Sequence, residues 1–154
     1  MDEKFMDNIR KNVRYYRLKA GITAKQIGEA TGHTTPWITQ FETGIIQGIR
    51  DKDLRKVAET LGVKLSDLVK PAEGMVVNVT TAEHDTGLEN LEKIRKHRKL
   101  THHEFSDFLG LSYDHYHKVM FGYSHFGIRA WWRIAEALRM DLKILIGRDQ
   151  HEAE

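Results

Sequence analysis

One stretch leaves this chain little freedom in how it folds. From Ile22 to Gly44 the residues run ITAKQIGEATGHTTPWITQFETG, and the pattern is two short helices around a tight turn. Thr23 is a good N-cap, because its hydroxyl accepts from a free amide of the first turn. A helix over 24–31 places Ile27 and Ala30 on one face. Gly32 takes the left-handed conformation that ends it. Thr34 is expected as a second N-cap, with Pro36 near the start of the next helix, where no amide partner is needed. In that helix Ile38 and Phe41 share an inward face, while Thr35, Pro36, Thr39 and Gln40 point the other way. Gly28 falls at the crossing, where a larger side chain would hold the second helix off. This is what a helix-turn-helix requires.

With its flanks (Arg17, Gly21-Ile22-Thr23, Phe41-Glu42-Thr43-Gly44, Val57-Ala58 and Leu61-Gly62-Val63), the stretch resembles the lambda-repressor-like, or XRE/Cro-type, family of DNA-binding domains. The resemblance implies that Arg17 pairs with Glu42. It implies that the outward face of the second helix enters the major groove, with Thr35, Pro36 and Gln40 at base-reading positions and Trp37 and Thr39 beside them. Gln40 offers a donor and an acceptor suited to adenine, and threonine or proline carbons meet a thymine methyl. Thr34, Lys25, Thr43 and Arg50 are expected on phosphates, which set register without reading sequence. One departure is Ala24, where the family often has a phosphate-binding glutamine; the neighbouring Lys25 substitutes through charge.

The chain has 154 residues, room for one large or two small domains. With no cysteine, disulfides, thiol catalysis and cysteine-zinc fingers are excluded. The first residues are too acidic for a signal peptide, and no apolar run approaches the ~20 residues of a membrane span, so a cytoplasmic, nucleoid-associated protein is expected. Net charge is only +2, but residues 1–70 carry 13 Lys/Arg against 9 Asp/Glu, and residues 88–148 carry 11 against 7. Residues 71–87 and 149–154 each come to −3. Two basic bodies are thus set off by acidic stretches.

Helical spacing of Ile9, Val13 and Tyr16 predicts a first helix from about Phe5 to Lys19, with Arg10, Lys11 and Arg14 on its other faces, solvated or approaching phosphates. In the loop after Gly44, Ile49 is expected inside, and one or both of Ile45 and Ile46 exposed or in a subunit contact. Asp51 is expected to cap a helix carrying Leu54, Val57, Ala58 and Leu61 inward, and Ser66 to open a last short one. Lys70-Pro71-Ala72-Glu73-Gly74 marks a boundary. The β-prone run from Met75 to Thr81 is either an extended linker or a strand that pairs with its copy in a second chain; Glu83 to Gly87 is a polar lead-in.

A shift of 78 residues then aligns the chain with itself. Thr23 falls on Thr101, Ile27 on Phe105, Gly28 on Ser106, Gly32 on Gly110, Thr34 on Ser112, Ile38 on Tyr116, Phe41 on Val119 and Gly44 on Gly122. Upstream, Val13 meets Leu91 and Arg17 meets Arg95. After one deletion Leu54, Val57, Ala58, Leu61 and Val63 meet Trp131, Ile134, Ala135, Leu138 and Met140. Such self-similarity predicts a duplicated domain: an all-α chain of two five-helix lambda-repressor-like domains, 1–70 and 88–148, joined by a linker over 71–87 and followed by an acidic tail over 149–154.

The second copy differs in its polar features. Met120 stands where Glu42 does, and the reading positions become Tyr113, Asp114, His115 and Lys118. Tyr113, His115, His117, Lys118, Phe121 and Tyr123 form a face suited to a protein contact rich in aromatics. Six of the nine histidines lie between His97 and His125, but His115 and His117, two apart on a helix, point about 200° away from each other. No metal or other cofactor is expected, and no catalytic constellation is present. The expected function is a DNA-binding transcriptional regulator, a repressor of phage or mobile-element type. Its first domain reads double-stranded DNA, and its second serves homodimerisation or a protein partner. Two alternatives are an antitoxin-like or inhibitor-like module that binds protein, and a single-chain pseudo-dimer with both domains on DNA.

Overall fold

The computed structural model describes residues 3–72 and 74–148, and within them the chain forms ten helices and no strand. It divides into two compact units, Met1–Val77 and Asn78–Glu154.

In the first unit, α1 (Glu3–Ala20) buries Met6, Ile9 and Val13 at helical spacing. Next come α2 (Ala24–Thr31), α3 (Trp37–Glu42), α4 (Asp51–Leu61) and α5 (Leu65–Val69). One core takes Ile27 from α2, Trp37, Ile38 and Phe41 from α3, Leu54, Val57, Ala58 and Leu61 from α4, and Leu68 from α5. Asn12 is fully buried on α1, and its amide donates to Leu68 O at 3.0 Å and Lys70 O at 2.8 Å, tying α1 to the end of α5.

Three helix starts differ from the sequence expectation. Thr34 makes no side-chain cap: its carbonyl accepts from Trp37 N at 3.1 Å, so a tight turn leads into α3. Arg50, not Asp51, is the N-cap of α4. Lys64, not Ser66, precedes α5, with the Asp67 carboxylate accepting from Lys64 N. In the loop after α3, Ile45 is 73% exposed, while Ile46 and Ile49 pack partly buried on the core.

The expected linker over 71–87 is not one. Residues 71–77 belong to the first unit: Ala72, Val76 and Val77 are buried, and Val77 O accepts from Arg14 Nε at 3.0 Å. The β-prone run has no ladder, and its Val76 and Val77 are held by burial. Residues 81–87 are helical, because Thr80 and Glu83 close a reciprocal capping box at the start of α6 (Thr81–His97). Hence the second unit starts before residue 88. The tail over 149–154 lies outside the described residues.

The second unit continues with α7 (His102–Leu109), α8 (Tyr113–Met120), α9 (Ile128–Leu138) and α10 (Leu142–Leu145). Trp131, Tyr116, Phe105, Leu91, Leu109, Ile134 and Leu145 are the largest of its fully buried side chains. Gly87 lies against Trp131, and a Cβ there would come within 2.5 Å of the indole.

Candidate nucleic-acid interface

The turn between α2 and α3 is built from backbone contacts. At the start of α2 the Thr23 side chain accepts from Gln26 N, and Gln26 Oε1 accepts from Thr23 N at 2.8 Å. Gly32 ends α2 at φ 76, and Gly28 O accepts from His33 N at 2.9 Å. A Cβ on Gly28 would meet Thr34 O at 2.8 Å and His33 O at 3.1 Å, so the turn lies directly on that glycine.

Three arginines of α1 converge on the far end of α3. Arg17 donates from Nε and Nη2 to the two Glu42 oxygens at 2.7 and 2.9 Å, and from Nη1 to Ile22 O at 3.2 Å. Arg14 Nη1 lies 3.5 Å from the same carboxylate, whose side chain is fully buried. Arg10 donates to Phe41 O at 3.1 Å and to Gln47 O at 2.7 Å, its guanidinium over the Phe41 ring. Arg10 and Arg14 therefore hold protein groups; the sequence showed them as charges on a helix face, and only the fold brings Phe41 O, Gln47 O and Glu42 to them. Bidentate and charge-assisted contacts of this kind fix orientation as well as adding energy.

What α3 presents is set by what it buries. Trp37, Ile38 and Phe41 face the core. Thr35, Pro36 and Thr39 are exposed and Gln40 is half-buried. Trp37 is thereby removed from the candidate base readers. It is 8% exposed and stacks on His33, ring centroids 3.9 Å apart and planes within 7°. Of the expected phosphate ligands, Lys25 is exposed in the first turn of α2, Thr34 in the turn, Thr43 at the C-cap of α3 and Arg50 before α4. Arg50 Nε also bonds Asp53 at 3.2 Å.

His33 was not singled out in the sequence. Its Nε2 lies 3.0 Å from buried Asp53 Oδ2, so the turn is pinned to α4. Burial works to raise the Asp53 pKa; the bonds from His33 and Arg50 outweigh it and leave the carboxyl below its ordinary value.

In the second unit the acidic partner of the brace comes from a different helix. Arg95 pairs with Glu92, three residues earlier on α6, and its Nη1 donates to Leu100 O at 2.8 Å. The bond from Arg95 to the Glu92 carboxylate lowers the Glu92 pKa, against burial. His102 Nδ1 and the buried Tyr116 hydroxyl are 2.9 Å apart and link α7 to α8; burial pushes the Tyr116 pKa up to about 12. Of the expected contact face, Phe121 (54%) and Tyr123 (80%) are widely exposed. Tyr113 is half-buried, stacked on His103 with centroids 3.5 Å apart. His115 lies half-buried against Phe126, His117 against Phe121, and exposed Lys118 pairs with Asp114 at 3.0 Å. Among the described residues, no group of three His, Cys, Asp or Glu could hold a metal ion, and no helix is long and apolar enough to cross a membrane.

Residues 13–68 match the family model described as Helix-turn-helix, of the XRE type. The match runs from the middle of α1 to α5 and takes in Gly28, the Arg17–Glu42 pair and all of α3. A domain of this family indicates a DNA-binding transcription regulator. No curated protein and no solved structure matches the chain.

Proposed function

We propose that the chain is a sequence-specific regulator of repressor type, whose first unit reads double-stranded DNA with α3. The observation that carries this is the arginine-held recognition helix: Arg10 and Arg17 fix its C-terminal end while its buried face leaves Thr35, Pro36, Thr39 and Gln40 outward. Lys25, Thr34, Thr43 and Arg50 supply phosphate contacts around it. Selection from random duplexes followed by gel-shift tests the reading. On a selected site Gln40→Ala is expected to cost about 1–3 kcal/mol and relax sequence preference. Lys25→Ala should weaken all duplexes alike and lower the salt slope by about one unit. If no duplex is selected, or if Gln40→Ala changes neither affinity nor preference, the assignment fails.

The second unit is, in this reading, a diverged copy that serves self-association or a protein partner. Matching polar ties support common descent. Asn90 donates to Leu145 O at 2.7 Å as Asn12 does to Leu68 O, and Arg95 donates to Leu100 O as Arg17 does to Ile22 O. Thr23 and Thr101 both close capping boxes, and Gly32 and Gly110 both end their helices left-handed. Divergence supports the change of role. Leu88, Glu92 and Met120 align with Arg10, Arg14 and Glu42, and a groove of about 360 Å³ there is lined also by the exposed Phe121. One observation favours the rival in which both units grip DNA: Lys118 compensates the Asp114 charge that would repel phosphates. Ultracentrifugation of the intact chain with and without a selected duplex separates the two, since the rival needs only one chain per site.

A further inference from the structure

The C-terminal turns of α6 and α9 line a groove of about 530 Å³ in the second unit. Its floor is apolar, made by Ile94, Leu138 and Met140. Its rim carries Lys93, His97, Arg98 and Arg139, all exposed, and no acidic residue lines it. Among the described residues Lys93, His97 and Arg139 have no ion pair, and Arg98 lies over the Phe108 ring.

Helix C-termini attract cations, which accounts for part of the rim but not for Arg139. This residue closes α9 in the left-handed region at φ 54, its N–H on Ala135 O and Glu136 O. Gly62 closes α4 in the same way at φ 71, its N–H on Ala58 O and Glu59 O. Glycine takes this conformation without penalty and an arginine does not, so the strain points to a use for the side chain. The floor differs as well. The residue aligned with Ile94 is Tyr16, whose hydroxyl accepts from Lys70 Nζ at 2.6 Å under a cation–π contact. Ala20 and Gly62 align with Arg98 and Arg139. At the aligned positions of the first unit Tyr16 stands in place of the open floor, and the counterparts of Arg98 and Arg139 carry no charge.

We propose that this groove docks an acidic protein segment with an apolar anchor. A leucine-like side chain covers Ile94, Leu138 and Met140, and flanking carboxylates face Lys93, His97, Arg98 and Arg139. Charge complementarity selects the acid, and the recessed floor selects a protein segment over duplex DNA, whose phosphates satisfy the rim but offer nothing to bury on three aliphatic side chains. This surface is separate from α3 of the first unit, and the test does not depend on DNA reading.

The test is fluorescence anisotropy of the full chain with a fluorescein-labelled synthetic peptide of Glu, Asp and Leu. Saturable binding is expected, weakened about tenfold or more when the leucines become serines. Arg139→Gly should weaken it about two- to fivefold with thermal stability unchanged or raised, because glycine relieves the backbone. Ile94→Tyr, which fills the floor as Tyr16 does, should abolish it without unfolding the chain. The proposal is overturned by absence of binding to the leucine-bearing peptide or by equal binding of the leucine-free one. Indifference of binding to both variants, or a duplex whose affinity falls with Arg139→Gly as the peptide's does, also overturns it.

Discussion

Glu42 decides whether α3 is held. Its side chain is fully buried, so the carboxylate depends on Arg17 and Arg14 for compensation. Removing one partner of such a pair leaves an uncompensated buried charge and costs about 3–5 kcal/mol, while replacing both by apolar groups is often near neutral. Glu42→Ala is therefore expected to destabilise the first unit more than the double change Arg17→Met with Glu42→Met. Denaturant titration of the two variants checks it, and the reverse order would show that the carboxylate is solvated. Arg10 acts differently, because its acceptors are the neutral carbonyls of Phe41 and Gln47. Arg10→Met should leave the core intact and loosen the end of α3, seen as faster amide exchange at residues 43–47.

At the scale of elements, Gly28 of α2 and Ser106 of α7, which align in the sequence, sit under opposite conditions. Each is fully or nearly buried on the first helix of its pair. On Gly28 a Cβ would meet two carbonyls of the turn, and backbone has no rotamer by which to yield. On Ser106 the Cβ is accommodated, and its hydroxyl donates to His103 O at 2.9 Å. Gly28→Ala is expected to cost about 1–3 kcal/mol as overpacking does, whereas Ser106→Ala should cost only about 1 kcal/mol through the lost bond. Thermal unfolding of the two variants decides it. The glycine at the crossing was legible in the sequence, as were α2 and the inward Ile38 and Phe41, because turn chemistry and apolar period are local; the break at Pro71 was not the boundary, which falls after Val77. Trp37 came with the resemblance, beside the base-reading positions, and its burial was not legible, because its stacking partner His33 comes from the turn, which periodicity does not describe. Asn12 and Asn90 were missed since an asparagine on a helix looks solvent-facing until the carbonyl it reaches, 56 or 55 residues away, is known. Arg10 shares that cause: its acceptors, Phe41 O and Gln47 O, are backbone carbonyls and have no sequence signature.

Over the whole molecule the two units are built to respond differently to acid. In the second, the Arg148 guanidinium bonds both Glu83 oxygens, at 2.6 and 2.9 Å, and also donates to Asn78 O, closing the end of the unit onto its start. These bonds hold the Glu83 pKa down to about 2, against burial. A carboxylate depressed on folding stabilises above its unfolded value, ordinarily 4.5, and loses that contribution as pH falls toward 2; here the contribution is on the order of 2 kcal/mol. His84, the next residue, is buried against Trp131, Phe126 and His125, and its Nε2 accepts from Phe126 N at 3.1 Å. Burial, then the charge of His125, lower its pKa, with exposed Asp85 opposing. The folded unit therefore keeps His84 neutral while the unfolded chain takes up a proton near the ordinary 6.5, so stability is full above that pH and declines as pH falls through the folded value. Both groups weaken the second unit on acidification, His84 first. In the first unit the depressed carboxyl of Asp53 has its ordinary value at 3.8, so its contribution declines only below that. An acid titration of the intact chain followed by indole resonances should show the Trp131 signal leaving its folded position at a higher pH than that of Trp37. His84→Leu should lower stability at neutral pH, because Phe126 N loses its acceptor, yet flatten the decline below pH 6.5. Loss of the folded Trp37 signal before that of Trp131, or an unchanged slope in His84→Leu, would show that acid sensitivity resides elsewhere.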